Sequence, residues 1–457
     1  MNYEALLQAQ KDYFETGITL PYAYRKQQLQ VLYTTILQYE QQIYTALYTD
    51  LKKSQEEVWI TEISMVLSEI KYLSGHLRNL IKPQRVPTNL VNFPSRSYTL
   101  YEPLGVVLII APWNYPFQLL MNPLVGAIAA GNCVVLKPSE HAPATAAVMQ
   151  LIISKAFAQA YISYYPGDGA AILPEMLTQY RFDHVFYTGS TTVGKLIYQQ
   201  AAEKLVPVTL ELGGKSPCLI LPNANLKVAA QRIVSTKYSN CGQMCVAPDY
   251  VLAHSSIAQE LIKELIISIE KFYTTDPSTS YDYGKIINTQ QYNRLIALLS
   301  QGTIAYGGNV NREKLYIQPT LLTNVTMKDS IMQQEIFGPL LPILTYTTDV
   351  EAKAVIAQNP NPLALYVFSS NKADSDAWLH TIAFGGGCAN NAAVHLLNHR
   401  LPFGGRGYSG SGAYHGKYSF ATFSHRKALQ YSVTWLNPSI TYPSFKGKLK
   451  WFKRLLG

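Results

Sequence analysis

From about residue 21 to residue 80, apolar positions return every three or four residues. Leu29, Leu32, Ile36, Ile43, Leu47 and Leu51 are separated by Gln, Lys and Glu. That period predicts long amphipathic helices with one face against a core, and Pro21 stands where a helix can begin. At Lys82 the texture changes: Pro83, Pro87 and Pro94 punctuate a polar stretch that ends in Ser97-Tyr-Thr-Leu-Tyr101, which reads as an extended arm. From Gly105 short apolar runs alternate with helical ones. Val106–Ile110 is continuous, as in a strand buried on both faces. The expected order is then helix Phe117–Ala130, strand Cys133–Leu136, helix Ala142–Ala158, strand Val185–Tyr187 and helix Thr191–Glu203. The alternation resumes after Ser216 with strand Cys218–Leu221 and helix Leu226–Tyr238, and continues to about Phe384.

Alternating strands and helices predict parallel sheets with helices on both faces, an α/β class. A boundary near Leu212 divides the chain into two such domains. Residues 1–82 and 101–211 form the first and 212–390 the second, with 83–100 and 391–430 as bridging or association segments and 431–457 as a tail. After Phe384 the chain is glycine-rich, which lets backbone pass close to another surface.

Composition narrows the class. With 457 residues, 48% hydrophobic and 15% charged, the chain is globular rather than disordered. The net charge of +9 forms no nucleic-acid stripe, though cations gather at the C-terminus. Five scattered cysteines fit a reducing, cytoplasmic compartment rather than a disulfide framework. The N-terminus lacks the pattern of a signal peptide, and no run of about 18 apolar residues predicts a spanning helix.

The candidate chemistry centres on Tyr238–Tyr250, YSNCGQMCVAPDY, a loop between a helix and a strand. A cysteine held there can be a nucleophile toward carbonyl carbon, or simply a small buried hydrophobe. Cys241 and Cys245 have no second pair at zinc spacing, so no metal site is expected. Asn114 follows a buried strand within Pro112-Trp-Asn-Tyr-Pro116. Glu211 ends the strand Val208–Leu210, where a carboxylate can act as general base. Gly189-Ser-Thr-Thr-Val-Gly194 joins a strand to a helix, and small residues there let a pyrophosphate reach the helix N-terminus. The usual G-x-G-x-x-G fingerprint is absent.

These blocks, with Glu211-Leu-Gly-Gly-Lys215, Lys137-Pro-Ser-Glu140, Glu335-Ile-Phe-Gly-Pro339, Leu401-Pro-Phe-Gly-Gly405 and Tyr414–Phe420, occur in an order that resembles the aldehyde dehydrogenases. The likeness is to the class 3 type, which includes fatty aldehyde dehydrogenases. It implies oxidation of aldehydes to acids with NAD or NADP, on medium or long aliphatic or aromatic substrates. It implies Cys245 as nucleophile, Glu211 as base of deacylation, and Asn114 with the Cys245 N–H as oxyanion donors. It places Trp113, Lys137, Glu140, Gly189, Ser190, Gly194, Leu212, Glu335 and Phe337 at the cofactor. It also implies a homodimer joined through the arm. Tyr187 stands where the family usually has Phe, and Arg406 and Ala392 also depart from the pattern, which puts local packing at Arg406 in question. Two rivals are a CoA-acylating relative and a non-catalytic one. Retention of Glu211 argues against the first, and Cys245, Glu211 and Asn114 together argue against the second.

The tail carries one further expectation. Phe445, Leu449, Phe452 and Leu456 share one helical face, with Trp451 beside them and Lys446, Lys448, Lys450, Lys453 and Arg454 mainly on the others. Such a helix can lie on an anionic membrane. A tail that packs on a partner subunit or stays solvated is the other reading.

Overall fold

The helical period of the first eighty residues becomes a broken series in the computed structural model, which describes residues 3 to 456, with side chains from 5 to 454. After Tyr3–Glu15 come helices Tyr22–Gln38, Glu40–Leu51, Gln55–Val58 and Ser64–Leu80. All six periodic residues, from Leu29 to Leu51, are fully buried. Lys52, left-handed at φ 55°, ends the second of these long helices, and the Ser54 side chain accepts from Glu57 N to begin the next. Between Gln55–Val58 and Ser64–Leu80 lies a five-residue π-helical turn, Trp59–Ile63. Such turns are rare and frequent at functional sites.

Two sheets follow. The first has the order Gly410–Ser411, Val208–Leu212, His184–Gly189, Val106–Ile110, Cys133–Lys137, Ile162–Tyr164. All its pairings are parallel except the first, where Gly410 lies opposite Glu211. The second has the order Thr303–Tyr306, Thr320–Thr323, Leu340–Tyr346, Tyr250–His254, Pro217–Ile220, Ala364–Phe368, Gly386–Ala389. It is parallel apart from its first pair. The helix Pro116–Ala130 is buried along its whole length, and its largely apolar sequence, polar only at Gln118 and Asn122, matches that position. The expected elements recur with small shifts. Val106–Ile110, Thr191–Glu203 and Leu226–Tyr238 keep their bounds, while the strand ending at Tyr187 runs to Gly189.

Three segments differ from expectation. The arm is not confined to residues 83–100: Gln84–Val86 and Arg96–Pro103 pair with Ser424–Tyr431 in a third, three-stranded sheet. The stretch 391–430 is not only bridging, because Gly410–Ser411 edges the first sheet. The expected tail helix starts only at Leu449 and runs to Leu456, so Phe445 lies in the preceding loop and packs on Phe452 at 5.7 Å. The Leu456 side chain lies outside the described ones. Arg406 is exposed, so it leaves the packing of its glycine block alone.

Candidate active site

In an open parallel sheet, ligands gather at the carboxyl ends of the strands. Those ends carry Ile110 leading to Asn114, Lys137, Gly189 and Leu212. The second sheet turns the amino ends of its central strands toward them. Cys245 lies in the loop that enters Tyr250–His254, and Glu335 and Phe337 in the loop that enters Leu340–Tyr346. Two cavities of about 320 and 330 Å³ adjoin at this meeting point, and Leu119, Thr188, Glu211, Leu212 and Cys245 line both.

The loop before Cys245 is held under strain. Asn240 and Cys241 are both left-handed, at φ 49° and 53°. Such residues persist only where their surroundings over-determine them. Here Glu57 accepts from Ser239 Oγ at 2.9 Å and Asn240 N at 2.8 Å. Gln243 donates to Asn240 O and Lys285 O, and accepts from Ile287 N. Cys241 is buried and lines neither cavity, whereas Cys245 lines both. Burial, then the nearby Glu335 and Glu211 charges, push the Cys245 thiol up, while the N–H groups of Cys245 and Val246 oppose them.

Asn114 is buried, and its Nδ2 donates to Gln243 O at 3.0 Å. One amide hydrogen remains for another acceptor. Its main-chain carbonyl accepts from Asn240 Nδ2 at 2.7 Å and from Lys53 Nζ at 3.1 Å. Lys53 is itself fixed by Glu62 at 2.7 Å, in a pair with no solvent exposure, and lies over the Tyr115 ring at 3.8 Å. Glu62 also accepts from the N–H groups of Phe117 and Gln118, the first turn of the buried helix. A buried ion pair thus sets the Asn114 turn. Glu211 has a different environment. It is buried with neither oxygen partnered, and burial pushes its carboxyl well up. A carboxyl so raised is a stronger base once ionised.

The 330 Å³ cavity gathers most of the expected cofactor residues: Trp113, Gly189, Ser190, Leu212, Glu335 and Phe337. Trp113 and Phe337 meet edge to face at 5.3 Å. Ser190 caps the helix Thr191–Glu203 by accepting from Val193 N, leaving an N-terminus open to an anion. A Cβ on Gly213 would fall 1.8 Å from Glu335 Oε2, so glycine is needed for the carboxylate to approach. Burial, then Asp249, push Glu335 up to about 8. Gly194 does not line the cavity; a Cβ there would meet Leu212 Cδ2 at 2.6 Å, so it serves close packing of helix on strand. Lys137 and Glu140 stand outside the cavity wall, joined to each other at 3.3 Å and facing Gly169. The Tyr187 hydroxyl reaches Ser190 O at 3.3 Å, which accommodates its departure from Phe. An apolar slot, a helix N-terminus and a carboxylate beside glycine backbone fit a nicotinamide dinucleotide.

The sequence profile of the Aldehyde dehydrogenase family matches residues 1–429. The chain belongs to that family. It is 47% identical to the 4,4'-diaponeurosporen-aldehyde dehydrogenase of Staphylococcus aureus, over 97% of this chain and 96% of the relative. It is 43% identical to mouse aldehyde dehydrogenase family 3 member A2, over 91% and 85%. The substrate-bound structure of Staphylococcus aureus AldH superposes with a TM-score of 0.97 at 46% identity, covering 100% of both chains. An NAD+ complex of a Bacillus cereus aldehyde dehydrogenase gives 0.86 at 27% identity, covering 95% and 89%. The enzyme is an NAD(P)-dependent oxidoreductase of the class 3 type, acting on aldehydes.

Several site residues escape a reading of sequence. Lys53 lies in the short loop between two helices and Glu62 in the π-helical turn, both among polar residues, where charge usually means solvent. Asp249 binds Lys215 and accepts from Ile336 N at 3.0 Å, tying the cysteine loop to the Glu335 loop. Arg294 donates to Ile336 O at 2.6 Å from a distant helix. Asp249 lies inside the motif around Cys245, which was the one available signal. Among the described residues no group of His, Cys, Asp and Glu could hold a metal ion.

Proposed function

We propose that Cys245 is the nucleophile, Glu211 the base and Asn114 an oxyanion donor. The observation that carries this is the sharing of Cys245 and Glu211 by the two cavities. An aldehyde enters the 320 Å³ cavity, whose walls include Ile60, Met65, Leu119, Val246, Leu363 and Leu396. Their apolar character suits medium or long aliphatic and aromatic aldehydes. The Cys245 thiol gives its proton to water, and the sulfur adds to the carbonyl carbon. The free Asn114 amide hydrogen and the Cys245 N–H take up the oxyanion, and one such donor contributes about 3 kcal/mol. The chemistry that a bound nicotinamide supplies is acceptance of the hydride. Collapse leaves a thioester on Cys245. Glu211 then takes a proton from water, whose oxygen attacks the thioester, releasing the acid and the thiolate.

Glu335, set against Gly213, holds the nicotinamide ribose hydroxyls. Lys137 and Glu140 hold the adenosine ribose, where a carboxylate repels a 2′-phosphate. The test is NADH formation from a simple alkanal without CoA. Cys245→Ser abolishes it and Cys241→Ser leaves most of it, because a serine hydroxyl cannot replace a thiolate without a dedicated base. Loss of activity in Cys241→Ser alone overturns the assignment.

The same reading divides the chain into a dinucleotide-binding domain, a catalytic domain and an association arm, and makes the enzyme a cytoplasmic homodimer. The arm supports a dimer, with Leu90 79% and Phe93 70% exposed in the connection between its strands Gln84–Val86 and Arg96–Pro103. The tail is proposed to rest on an anionic membrane. Trp435, Phe445, Leu449 and Trp451 are exposed, and no acidic residue follows position 431. No described helix is long and apolar enough to cross a membrane.

A further inference from the structure

His415 lines the aldehyde cavity, is 2% exposed, and takes no part in the steps above. Its backbone lies at φ 77°, uncommon for any residue but glycine, although His, like Asn and Asp, adopts it more readily than most. Strain of this kind needs support from neighbours, and marks sites where a side chain is aimed on purpose. The support is visible. His415 N donates to Ser419 Oγ at 2.8 Å, and Ser419 Oγ donates to the buried Glu69 at 2.7 Å. Gly416 N donates to both Glu69 oxygens, at 2.8 and 3.0 Å. The imidazole stacks on Phe403 at 5.3 Å and 17°, and meets Tyr414 edge-on at 4.4 Å.

The ring chemistry is then determined. Nδ1 stands 3.1 Å from Leu396 O, which can only accept, so Nδ1 carries the hydrogen. Burial holds the ring's pKa down to about 4, so it is neutral at ordinary pH. Nε2 is therefore a bare acceptor, and it has no partner in the protein. Thr188 Oγ1, also unpartnered, can donate as well as accept, and it faces the cofactor side too. His415 lines the aldehyde side alone. A buried acceptor left unmade is costly, and a ligand that satisfies it is favoured over one that does not.

We propose that His415 is a specificity-determining residue whose Nε2 accepts a hydrogen bond from a hydroxyl on the aldehyde's chain, so that hydroxylated aldehydes are preferred over matched plain alkanals. This rests on the oxidation reading above and names its substrate class more finely.

The experiment uses the full-length enzyme with NAD, octanal, and hydroxyoctanals carrying the hydroxyl at successive carbons. At one position kcat/KM should exceed that of octanal by about tenfold, the worth of one satisfied buried acceptor. The methyl ether of that same aldehyde, which cannot donate, should lose the advantage on unaltered protein. His415→Phe, which keeps the ring but not the acceptor, should bring the ratio toward one. His415→Asn tolerates the backbone angle, restores an acceptor, and should keep part of it. Flat ratios across all positions, an equal advantage for the ether, or an unchanged ratio in His415→Phe each overturn the proposal while leaving aldehyde oxidation standing. Absence of NADH from every aldehyde, octanal included, overturns both.

Discussion

Glu211→Gln should separate the two halves of the reaction. The substitution keeps shape and removes the one group placed to take a proton from water. Both carboxyl oxygens lack partners in the protein, so no existing hydrogen bond is lost. A positioned general base contributes about 10²–10⁴-fold, or roughly 3–5 kcal/mol of barrier. Hydride transfer does not draw on it in the same way. Stopped flow should therefore record a burst of NADH close to one per active site, then a slow steady state, with the acyl group visible on Cys245 by intact mass. Stability should move differently. Burial raises the Glu211 pKa, so its neutral form fits the fold. Stability is then fully present below the ordinary carboxyl pKa and is lost as pH rises through the raised value. Melting curves from about pH 5 to about pH 9 should converge at the acid end and favour the Gln variant at the alkaline end. Steady-state turnover within about threefold of the parent enzyme would refute Glu211 as the base. So would a burst slowed as much as turnover.

Other outcomes follow from the same geometry. Glu140→Ala should raise the ratio of kcat/KM for NADP over NAD by about tenfold or more, through loss of one charge-assisted contact and of repulsion at the 2′-phosphate; an unchanged ratio removes Glu140 from the adenosine side. Lys53→Met leaves Glu62 buried and unpaired, and should cost about 3–5 kcal/mol in chemical unfolding. Adding Glu62→Gln should recover part of it, since a neutral amide oxygen still accepts from Phe117 and Gln118 N; additive losses would contradict the coupling. A chain ending at Pro443 should sediment less with anionic vesicles than the full chain, with binding lost at high salt, each tail cation contributing about 1 kcal/mol at the surface. Equal sedimentation of both leaves the tail a structural role.

Much of the fold was legible because its signals are local. Val106–Ile110 is apolar without interruption, and Leu226–Tyr238 has Asn225 to cap it, accepting from Val228 N. The cysteine, the two glutamates and Asn114 were legible as motif residues, and the chain brings them to one place. What stayed hidden depends on tertiary pairing. Gly410–Ser411 is two residues long and has no period to read. Ser424–Tyr431 is polar and becomes a strand because Arg96–Pro103 offers it an edge. Glu62 and Glu69 look like solvent-facing helix residues, yet both are fully buried, one under Lys53 and the other under the His415 turn. Nothing nearby in sequence announces either partner.

The placement of one thiol between two cavities has a consequence for traffic. A reactive group at the bottom of a single pit makes its visitors queue, since whatever entered last must leave first. Here the sulfur lines two adjoining cavities whose other walls are largely different. A bulky hydrocarbon still lodged on one side does not bar the exit of a spent dinucleotide from the other. The length of the aldehyde's tail and the pace of cofactor turnover can therefore be tuned independently, each by the residues of its own cavity.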